Sequence, residues 1–270
     1  MKQHGIDVSA TTDFCEGFVV GKQHRETFGT RKNRPTVAGE QINTDVCSPM
    51  QEITLGGTRY YVCFKDDFSK FRRLFFTLKK SEVVNCLKTF ISESEAAGHR
   101  IKELLSDGGT EFNNSEVKAV LASKGISTLI AMTYTPEQNG AAERENRSSV
   151  KCARFLIHTK ELPIKLWAEA INTSVYVLNR TAKTSVPGEN SYEVWFKKEK
   201  PCIDHLRIFG TECYIYIPKQ QRRNWDLKSK KDLLDGYCGD KDGYRMWTNN
   251  DKVVLSRDVV FKDEQVLGTM

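Results

Sequence analysis

The alternation of apolar and polar residues in the first half of the chain predicts three successive β-strands. Apolar and aromatic runs bounded by turn residues occupy residues 42–47, 59–65 and 72–78. Runs of this kind are typical of strands, and short connections between them favour antiparallel pairing. We therefore expect an antiparallel meander at the start of the folded region.

Strands and helices alternate after this meander. Ser81 is expected to cap a helix that buries Val83, Val84, Leu87, Phe90 and Ile91 on one face and ends at Gly98. The other elements predicted here are a strand at 101–106, a helix at 114–124, a strand at 127–132 and a helix at 140–158. This order predicts an α/β domain in which helices flank a mixed five-stranded sheet.

The pattern changes in the second half of the chain. A helix is predicted at 162–180, with Trp167, Ile171, Val175 and Leu178 on its core face, and a loop follows at 184–191. Beyond Pro201 short strands are predicted at 206–209, 213–217, 233–237, 244–247 and 252–261, which is typical of a small all-β barrel. The predicted domains are a basic arm at 1–41, the α/β core with its helical extension at 42–200 and the barrel at 201–270.

Composition indicates a folded protein of a reducing compartment. Of the 270 residues, 39% are hydrophobic and 28% are charged, which suits a globular chain. No apolar run approaches the roughly 18 residues of a membrane span, and the N-terminus lacks the apolar segment of a signal peptide. The eight scattered cysteines do not suggest a disulfide framework. We therefore expect a nuclear or cytoplasmic location and no membrane partner.

Positive charge is concentrated in two segments. Residues 196–231 contain ten Lys/Arg and four Asp/Glu, a surplus that equals the formal net charge of +6 of the whole chain. The N-terminal arm adds Lys22, Arg25, Arg31, Lys32 and Arg34. Such segments favour a polyanionic partner, although a solvated lysine-rich surface has the same composition.

Three carboxylates occupy sequence positions from which they could come together at one edge of a sheet. Asp45 lies inside the first strand, Asp107 follows the strand at 101–106, and Glu143 lies in the first turn of the helix predicted from Gly140. Sixty-one residues separate Asp45 from Asp107, and 35 separate Asp107 from Glu143. Taken singly, each acid is more typical of a turn, a cap or a helix start. Three other acids, Asp66, Asp67 and Glu111, are expected to be surface residues.

The sequence Asp107-Gly-Gly-Thr-Glu-Phe and the sequence Tyr134-Thr-Pro-Glu-Gln-Asn-Gly-Ala-Ala-Glu143 surround two of these acids. Together with Asp45 they resemble the D,D-35-E set of retroviral and retrotransposon integrases, in the version found in Copia-type elements. The resemblance implies a ribonuclease H-like core. The segments His205-Leu-Arg-Ile-Phe-Gly and Ser256-Arg-Asp-Val-Val-Phe are similar to the SH3-like domain that follows this core in the family.

The resemblance also implies that Asp45, Asp107 and Glu143 are catalytic residues and bind two Mg²⁺ or Mn²⁺ ions, with Asp45 bridging both. Two such ions about 3.5 to 4 Å apart activate an attacking oxygen and support a leaving oxygen at phosphorus, so no protein nucleophile is required. In the family, water trims a 3′ end of element DNA, and the freed 3′-hydroxyl then attacks target DNA. A homo-oligomer that joins two DNA ends is implied in the same way.

Five further residues are candidates for DNA contact: Tyr134, Asn139, Arg147, Lys151 and Arg154. The last three follow Glu143 at offsets of four, eight and eleven, so they share its helix face. They could bind phosphates without reading sequence, although an ordinary solvated helix face has the same pattern. By the resemblance, Tyr134 and Asn139 contact the end of the donor DNA; otherwise they are turn residues.

Three positions depart from the family pattern. Cys15 precedes Phe18, where the family has the second cysteine of a small zinc module, and zinc needs about four ligands, so we expect no zinc. Gly108 and Asn43 stand where relatives commonly have Asn and His, beside carboxylates that are retained. We therefore expect these two replacements to affect metal binding less than they affect the positioning of the substrate. These departures suggest a polyprotein fragment, or a decaying or host-retained copy.

The sequence leaves three functions open. The first is an integrase-type polynucleotidyl transferase, which cuts and joins DNA. The second is a metal-dependent nuclease of the same fold, which cleaves DNA without joining it. The third is a catalytically impaired fragment in which the basic arm and barrel still bind nucleic acid.

Overall fold

The computed structural model describes residues 34–47, 49–130, 136–239, 243–248 and 250–262, with the backbone alone for residues 136–145. The strands in these ranges are β1 (Gln41–Cys47), β2 (Tyr60–Asp66), β3 (Arg72–Thr77), β4 (Glu103–Ser106), β5 (Ser127–Ile130), β6 (Glu212–Tyr216), β7 (Ser229–Tyr237), β8 (Tyr244–Trp247), β9 (Val253–Ser256) and β10 (Val259–Phe261). The α-helices are α1 (Val83–Ala96), α2 (Ser115–Lys124), α3 (Pro136–Thr159), α4 (Trp167–Thr181) and α5 (Ser191–Phe196). Within these residues no helix combines the length and the apolar character that crossing a bilayer requires.

The first sheet has the strand order β3-β2-β1-β4-β5. β1, β2 and β3 pair in antiparallel fashion, which confirms the predicted meander. β4 lies parallel to β1, and β5 lies parallel to β4. The mixed five-stranded sheet predicted from the alternation of strands and helices is therefore confirmed.

Helices cover both faces of this sheet. Because side chains alternate across a strand, Val62 and Phe64 of β2 face one way and Tyr61 and Cys63 face the other. The first pair belongs to a core with α1 and α2, in which Phe64 stacks on Phe90 at 4.6 Å between ring centroids. The second pair packs against residues of α3 and α4. Helix α3 therefore lies on the sheet face opposite to α1.

The second sheet is entirely antiparallel, with the strand order β10-β6-β7-β8-β9. It follows the first sheet within one compact unit, residues 34–270. The two sheets share a hydrophobic core, since Phe209 and the half-buried Trp247 pack in the same cluster as Trp167 and Ile171 of α4. The boundaries at 41/42 and 200/201 stay predictions.

The start of α1 differs from its prediction. A short 3₁₀ segment, Lys80–Glu82, precedes the α-helix, and the Lys79 backbone N–H donates to Glu82 Oε1 at 3.0 Å. Glu82 therefore satisfies the helix end, and the prediction that Ser81 caps it was wrong. The end of the helix agrees with the sequence, because Gly98 has φ +81°, which glycine adopts without a Cβ clash.

Two predicted strands of the barrel are wrong. Residues 206–209 form no strand, because the Tyr237 hydroxyl accepts from the Arg207 N–H at 3.0 Å and donates to the Arg207 carbonyl at 2.8 Å. Both backbone groups that a strand partner would bind are thereby satisfied. The single strand predicted at 252–261 is two strands, β9 and β10, interrupted at Arg257 and Asp258.

Helix α5 was not predicted, although its signal is present in the sequence. The Asn190 side chain accepts from the Glu193 N–H at 3.0 Å, and the Asn190 N–H donates to Glu193 Oε2 at 2.8 Å. This reciprocal capping box needs only a polar cap and an acid three residues later. The helix places Trp195 in the core, stacked on Phe71 at 5.0 Å between ring centroids.

Asp66 is buried, which contradicts its prediction as a surface residue. It is 1% exposed and accepts three hydrogen bonds: from Gly39 N–H at 2.8 Å, Ser69 N–H at 2.6 Å and Ser69 Oγ at 2.6 Å. These donors offset the loss of hydration that burial causes. The carboxylate closes the β2–β3 turn and ties it to the segment before β1.

Replacing Asp66 with alanine is expected to lower the free energy of unfolding by about 2 to 4 kcal/mol, because it leaves three donors without their acceptor. Urea denaturation followed by circular dichroism measures the change. Asp67 was also predicted at the surface, but its side chain is only 11% exposed and forms an i,i+3 ion pair with Lys70. The control is therefore Asp258→Ala, since Asp258 is exposed and pairs only with the exposed Arg257 among the described residues, and we expect a loss below about 1 kcal/mol. Equal losses in both variants would show that the buried acceptor has no special role.

Candidate active site

Strand pairing brings Asp45 and Asp107 to the same edge of the first sheet. β1 and β4 are parallel, and Asn43 pairs with Leu105. Asp45 and Asp107 each lie two residues beyond this pair, so both are at the same end of these two neighbouring strands; Asp45 shares a face with Asn43, and Asp107 begins the loop after β4. Because α3 packs on the face that carries Asp45, this acid lies beneath the helix that carries Glu143.

Asp45 is held by an asparagine that the sequence analysis missed. Asn146 of α3 is 7% exposed, and its Nδ2 donates to Asp45 Oδ2 at 2.7 Å. The Tyr61 hydroxyl donates to the Asn146 carbonyl at 3.5 Å. Burial raises the pKa of Tyr61, so this phenol stays protonated and remains a donor. β1 and α3 are therefore linked through the candidate catalytic carboxylate.

The loop after β4 presents Asp107 to solvent on a constrained backbone. Asp107 is exposed, and its Oδ1 accepts from the Gly109 N–H at 3.0 Å. Gly108 has φ +78°, and a Cβ there would lie 2.7 Å from Ile130 Cγ2. Glycine fits this position best, and asparagine tolerates such a backbone better than most residues do. A side chain at position 108 would therefore require Ile130 to move.

Glu111 is paired and largely buried, which corrects its prediction as a surface residue. Its Oε1 accepts from Lys80 Nζ at 2.8 Å, and its side chain is 10% exposed. Burial alone would raise the pKa of Glu111, but the hydrogen bond from Lys80 lowers it. The same hydrogen bond raises the pKa of Lys80, and the charge of Asp107 adds to that shift. Lys80 therefore lies within the electrostatic field of the Asp107 loop.

Three of the predicted site residues have side chains outside the described part of the chain. Tyr134 lies in an undescribed segment, whereas Asn139 and Glu143 fall in the part of α3 described by its backbone alone. Glu143 precedes Asn146 by three residues in this helix. Their roles stay predictions.

The three basic residues predicted on α3 are all exposed. Arg147, Lys151 and Arg154 face solvent, whereas Ala153 and Ile157 are buried on the opposite side of the helix. Exposure fits both a phosphate-binding surface and a solvated helix face, so the structure leaves the predicted role open.

Asn43 lies buried on the same face as Asp45. It is 1% exposed, its Oδ1 accepts from Gln41 Nε2 at 3.3 Å, and its Nδ2 has no hydrogen-bond partner among the described residues. An amide in this position fills the space beside Asp45 but leaves one buried donor without such a partner.

The carboxylates described at this edge suit a hard divalent cation. Asp45 and Asp107 are oxygen donors at the same end of neighbouring strands, and Mg²⁺ and Mn²⁺ prefer oxygen ligands and retain several waters. Among the residues with described side chains, no group of three His, Cys, Asp or Glu is placed to hold a metal. The metal-binding role of Asp45, Asp107 and Glu143 stays a prediction.

The mixed five-stranded sheet with flanking helices resembles the ribonuclease H-like core of integrases, and the antiparallel sheet that follows it is consistent with an SH3-like domain. Residues 211–269 match the family model of the retroviral polymerase SH3-like domain. One chain of the simian T-cell lymphotropic virus intasome, solved in complex with PP2A regulatory subunit B56 gamma, has a similar fold. Its TM-score is 0.54 at 13% identity, with 89% of this chain and 84% of that chain covered.

The chain is a homologue of the retrovirus-related Pol polyproteins of Copia-type transposons. It is 35% identical over 254 residues to the polyprotein of transposon TNT 1-94 from Nicotiana tabacum, which covers 93% of this chain and 19% of that protein. It is 29% identical over 232 residues to the polyprotein of transposon RE2 from Arabidopsis thaliana, which covers 85% of this chain and 16% of that protein. The chain therefore spans about a fifth of the length of these relatives.

Proposed function

We propose that this chain is the catalytic segment of a retrotransposon integrase, a polynucleotidyl transferase that processes 3′ ends of element DNA and joins them to target DNA. The main support is the β1–β4 register, in which Asn43 pairs with Leu105 two residues before Asp45 and Asp107, on the sheet that the helix of Glu143 covers. The proposal includes a nuclear or cytoplasmic location, element and target DNA as partners, and a homo-oligomer as the active form.

The proposed chemistry assigns a separate task to each group. Asp45, Asp107 and Glu143 would hold Mg²⁺ or Mn²⁺, which when bound activates the attacking oxygen and stabilises the leaving oxygen. Asn146 orients the Asp45 carboxylate through its 2.7 Å hydrogen bond, and the Gly109 N–H orients Asp107. Preformed hydrogen bonds of this kind reduce the reorganisation required when substrate binds.

The exposed cations on α3 would bind the DNA backbone. Arg147, Lys151 and Arg154 recur along one side of the helix, so they can contact successive phosphates. Tyr134 and Asn139 would contact the end of the donor DNA. Phosphate contacts fix the position of a duplex without reading its sequence, which suits an enzyme that acts on many target sites.

A strand-transfer assay with Mn²⁺ and an oligonucleotide that carries the element end tests this proposal. Wild type is expected to trim and join the DNA, and Glu143→Gln is expected to do neither. Cleavage without joining by wild type would favour the same-fold nuclease. DNA binding without cleavage, unchanged in the variant, would favour the non-enzymatic fragment.

Replacing Asn146 with alanine is expected to lower strand-transfer activity about 10- to 100-fold, because Asp45 loses the amide that orients it. The free energy of unfolding should fall by only about 1 to 2 kcal/mol. Kinetics at saturating Mn²⁺ and urea denaturation measure the two quantities separately. Asn85→Ala is the control, since Asn85 is an exposed residue of α1, the helix on the opposite face of the sheet. Full activity in Asn146→Ala would contradict the positioning role.

A further inference from the structure

Two carboxylates converge on one glycine in the loop after β4. A Cβ at Gly109 would lie 2.7 Å from Glu111 Oε2 and 3.2 Å from Asp107 Oδ1. Both oxygens therefore approach the same backbone position. Glu111 is thus a second negative charge beside the candidate metal ligand, close enough to change the electrostatic potential there.

The loop holds Glu111 in this position. The Phe112 N–H donates to the Gly109 carbonyl at 3.0 Å, and Asn114 Nδ2 donates to the Glu111 carbonyl at 3.0 Å. Phe112 is 2% exposed and anchors the loop in the core shared with α1 and α2. The charge of Glu111 therefore cannot move far from Asp107 unless the loop unfolds.

Lys80, which belongs to a different element, compensates the negative charge of Glu111. It lies in the 3₁₀ segment before α1, and its Nζ contacts Glu111 Oε1 at 2.8 Å. The Lys80 side chain is 46% exposed, whereas that of Glu111 is 10% exposed. Both members of the pair lie close enough to Asp107 to affect the electrostatic potential there, since Glu111 approaches the same glycine as Asp107 and the charge of Asp107 acts on Lys80.

We propose that Lys80 and Glu111 form a charge-compensating pair that sets the affinity of the Asp107 end of the site for a divalent cation. The inference rests on the metal-binding role proposed above for Asp107. Neither residue is a ligand in this proposal, because Glu111 is engaged by Lys80. Both act through Asp107, Glu111 by adding negative charge and Lys80 by cancelling it.

Isothermal titration of the full chain with Mn²⁺ tests this pair. Lys80→Gln removes a positive charge and is expected to tighten Mn²⁺ binding about three- to tenfold, whereas Glu111→Gln is expected to weaken it by a similar factor. The double variant removes both charges and should bind within about twofold of wild type, since the two effects cancel. Opposite signs in the single variants distinguish charge compensation from a general loosening of the loop.

Lys124→Gln and Glu95→Gln are matched controls, because this pair has the same 2.8 Å separation but links the ends of α2 and α1. They should leave Mn²⁺ affinity unchanged. Shifts of Mn²⁺ affinity of the same sign in Lys80→Gln and Glu111→Gln, or no shift in either, would overturn the proposed pairing.

Asp107→Asn separates this proposal from the proposed function: if the variant binds Mn²⁺ as wild type does, the proposed function fails. If it abolishes binding while the pair variants match wild type, only the pairing fails. Thermal unfolding checks that every variant is folded.

Discussion

Strand transfer by the Glu143→Gln variant is expected to be at least about 1000-fold slower than by wild type. The amide keeps the size of the side chain but removes the negative charge that would bind the metal ion, and stabilisation of the developing charge at phosphorus supplies much of the catalysis in two-metal enzymes. Asp45→Asn and Asp107→Asn should lose activity to a similar extent, because the three acids act as one unit and their losses do not add. A gel assay that resolves trimmed and joined products measures both steps.

The matched control is Glu116→Gln, which alters an exposed acid in the first turn of α2. It should retain wild-type activity, and the melting temperatures of all the variants should stay within a few degrees of wild type. Undiminished joining by Glu143→Gln would remove this acid from the site. Undiminished joining by all three active-site variants would refute the carboxylate mechanism altogether.

Replacing Asp235 with asparagine is expected to stabilise the protein at pH 8 by about 2 to 4 kcal/mol, at roughly 1.4 kcal/mol per pKa unit. Asp235 is 2% exposed, and in the part of the chain that the structure describes neither of its carboxylate oxygens has a hydrogen-bond partner. Burial, reinforced by the charge of Glu169, raises the pKa of Asp235 from 3.8 to about 7. Arg245 lies 3.7 Å from Asp235 and 3.9 Å from Glu169. One positive charge is therefore shared between two buried carboxyl groups.

The sign of the pH dependence follows from this shift. The folded chain binds the proton of Asp235 more tightly than the unfolded chain, so its ionisation costs stability progressively as the pH rises from about 4 to 7. The advantage of Asp235→Asn should therefore be largest above pH 7 and should shrink by more than half at pH 4.5. Guanidinium denaturation at pH 4.5 and pH 8 measures both values. Asp258→Asn, which changes an exposed acid between β9 and β10, should show neither effect.

The position of Asp235 explains why solvent does not hydrate its carboxylate. It lies at the β-bulge of β7, where the register shifts between Leu234 and Gly236, and it lines a cavity of about 180 Å³ with Glu169 of α4 and Arg245 of β8. The cavity lies where the second sheet meets the core. If Asp235→Asn were less stable than wild type at pH 8, the carboxylate would have to form a favourable contact with Arg245 that outweighs its burial.

The sequence predicted the framework of the site because that framework depends on local patterns. A strand that ends at Asp107 before glycines, and a β-branched run around Asp45, locate both acids without knowledge of their neighbours. Asn146 was missed because its role depends on which helix face packs against β1. Its spacing of three from Glu143 was the available signal, since residues three apart share a helix face.

Side-chain burial was harder to predict than element type. Asp66 was predicted as an exposed turn residue, yet it is buried because Gly39, distant in sequence, donates to it. The predicted strand at 206–209 failed for a similar reason, since the Tyr237 hydroxyl takes the place of a neighbouring strand. In each case the deciding partner lies more than 25 positions away along the chain, where local periodicity carries no information.

The hydrophobic core shared by the two sheets affects how this protein can be dissected. Phe209 and Trp247 belong to the same hydrophobic cluster as Trp167 and Ile171 of α4 and Tyr61 of β2. Cleaving the chain near residue 200 would expose part of the apolar surface of α4 and remove the residues that pack against Phe209. The second sheet is therefore expected to stabilise the first, so the two should be expressed as one piece and should unfold together.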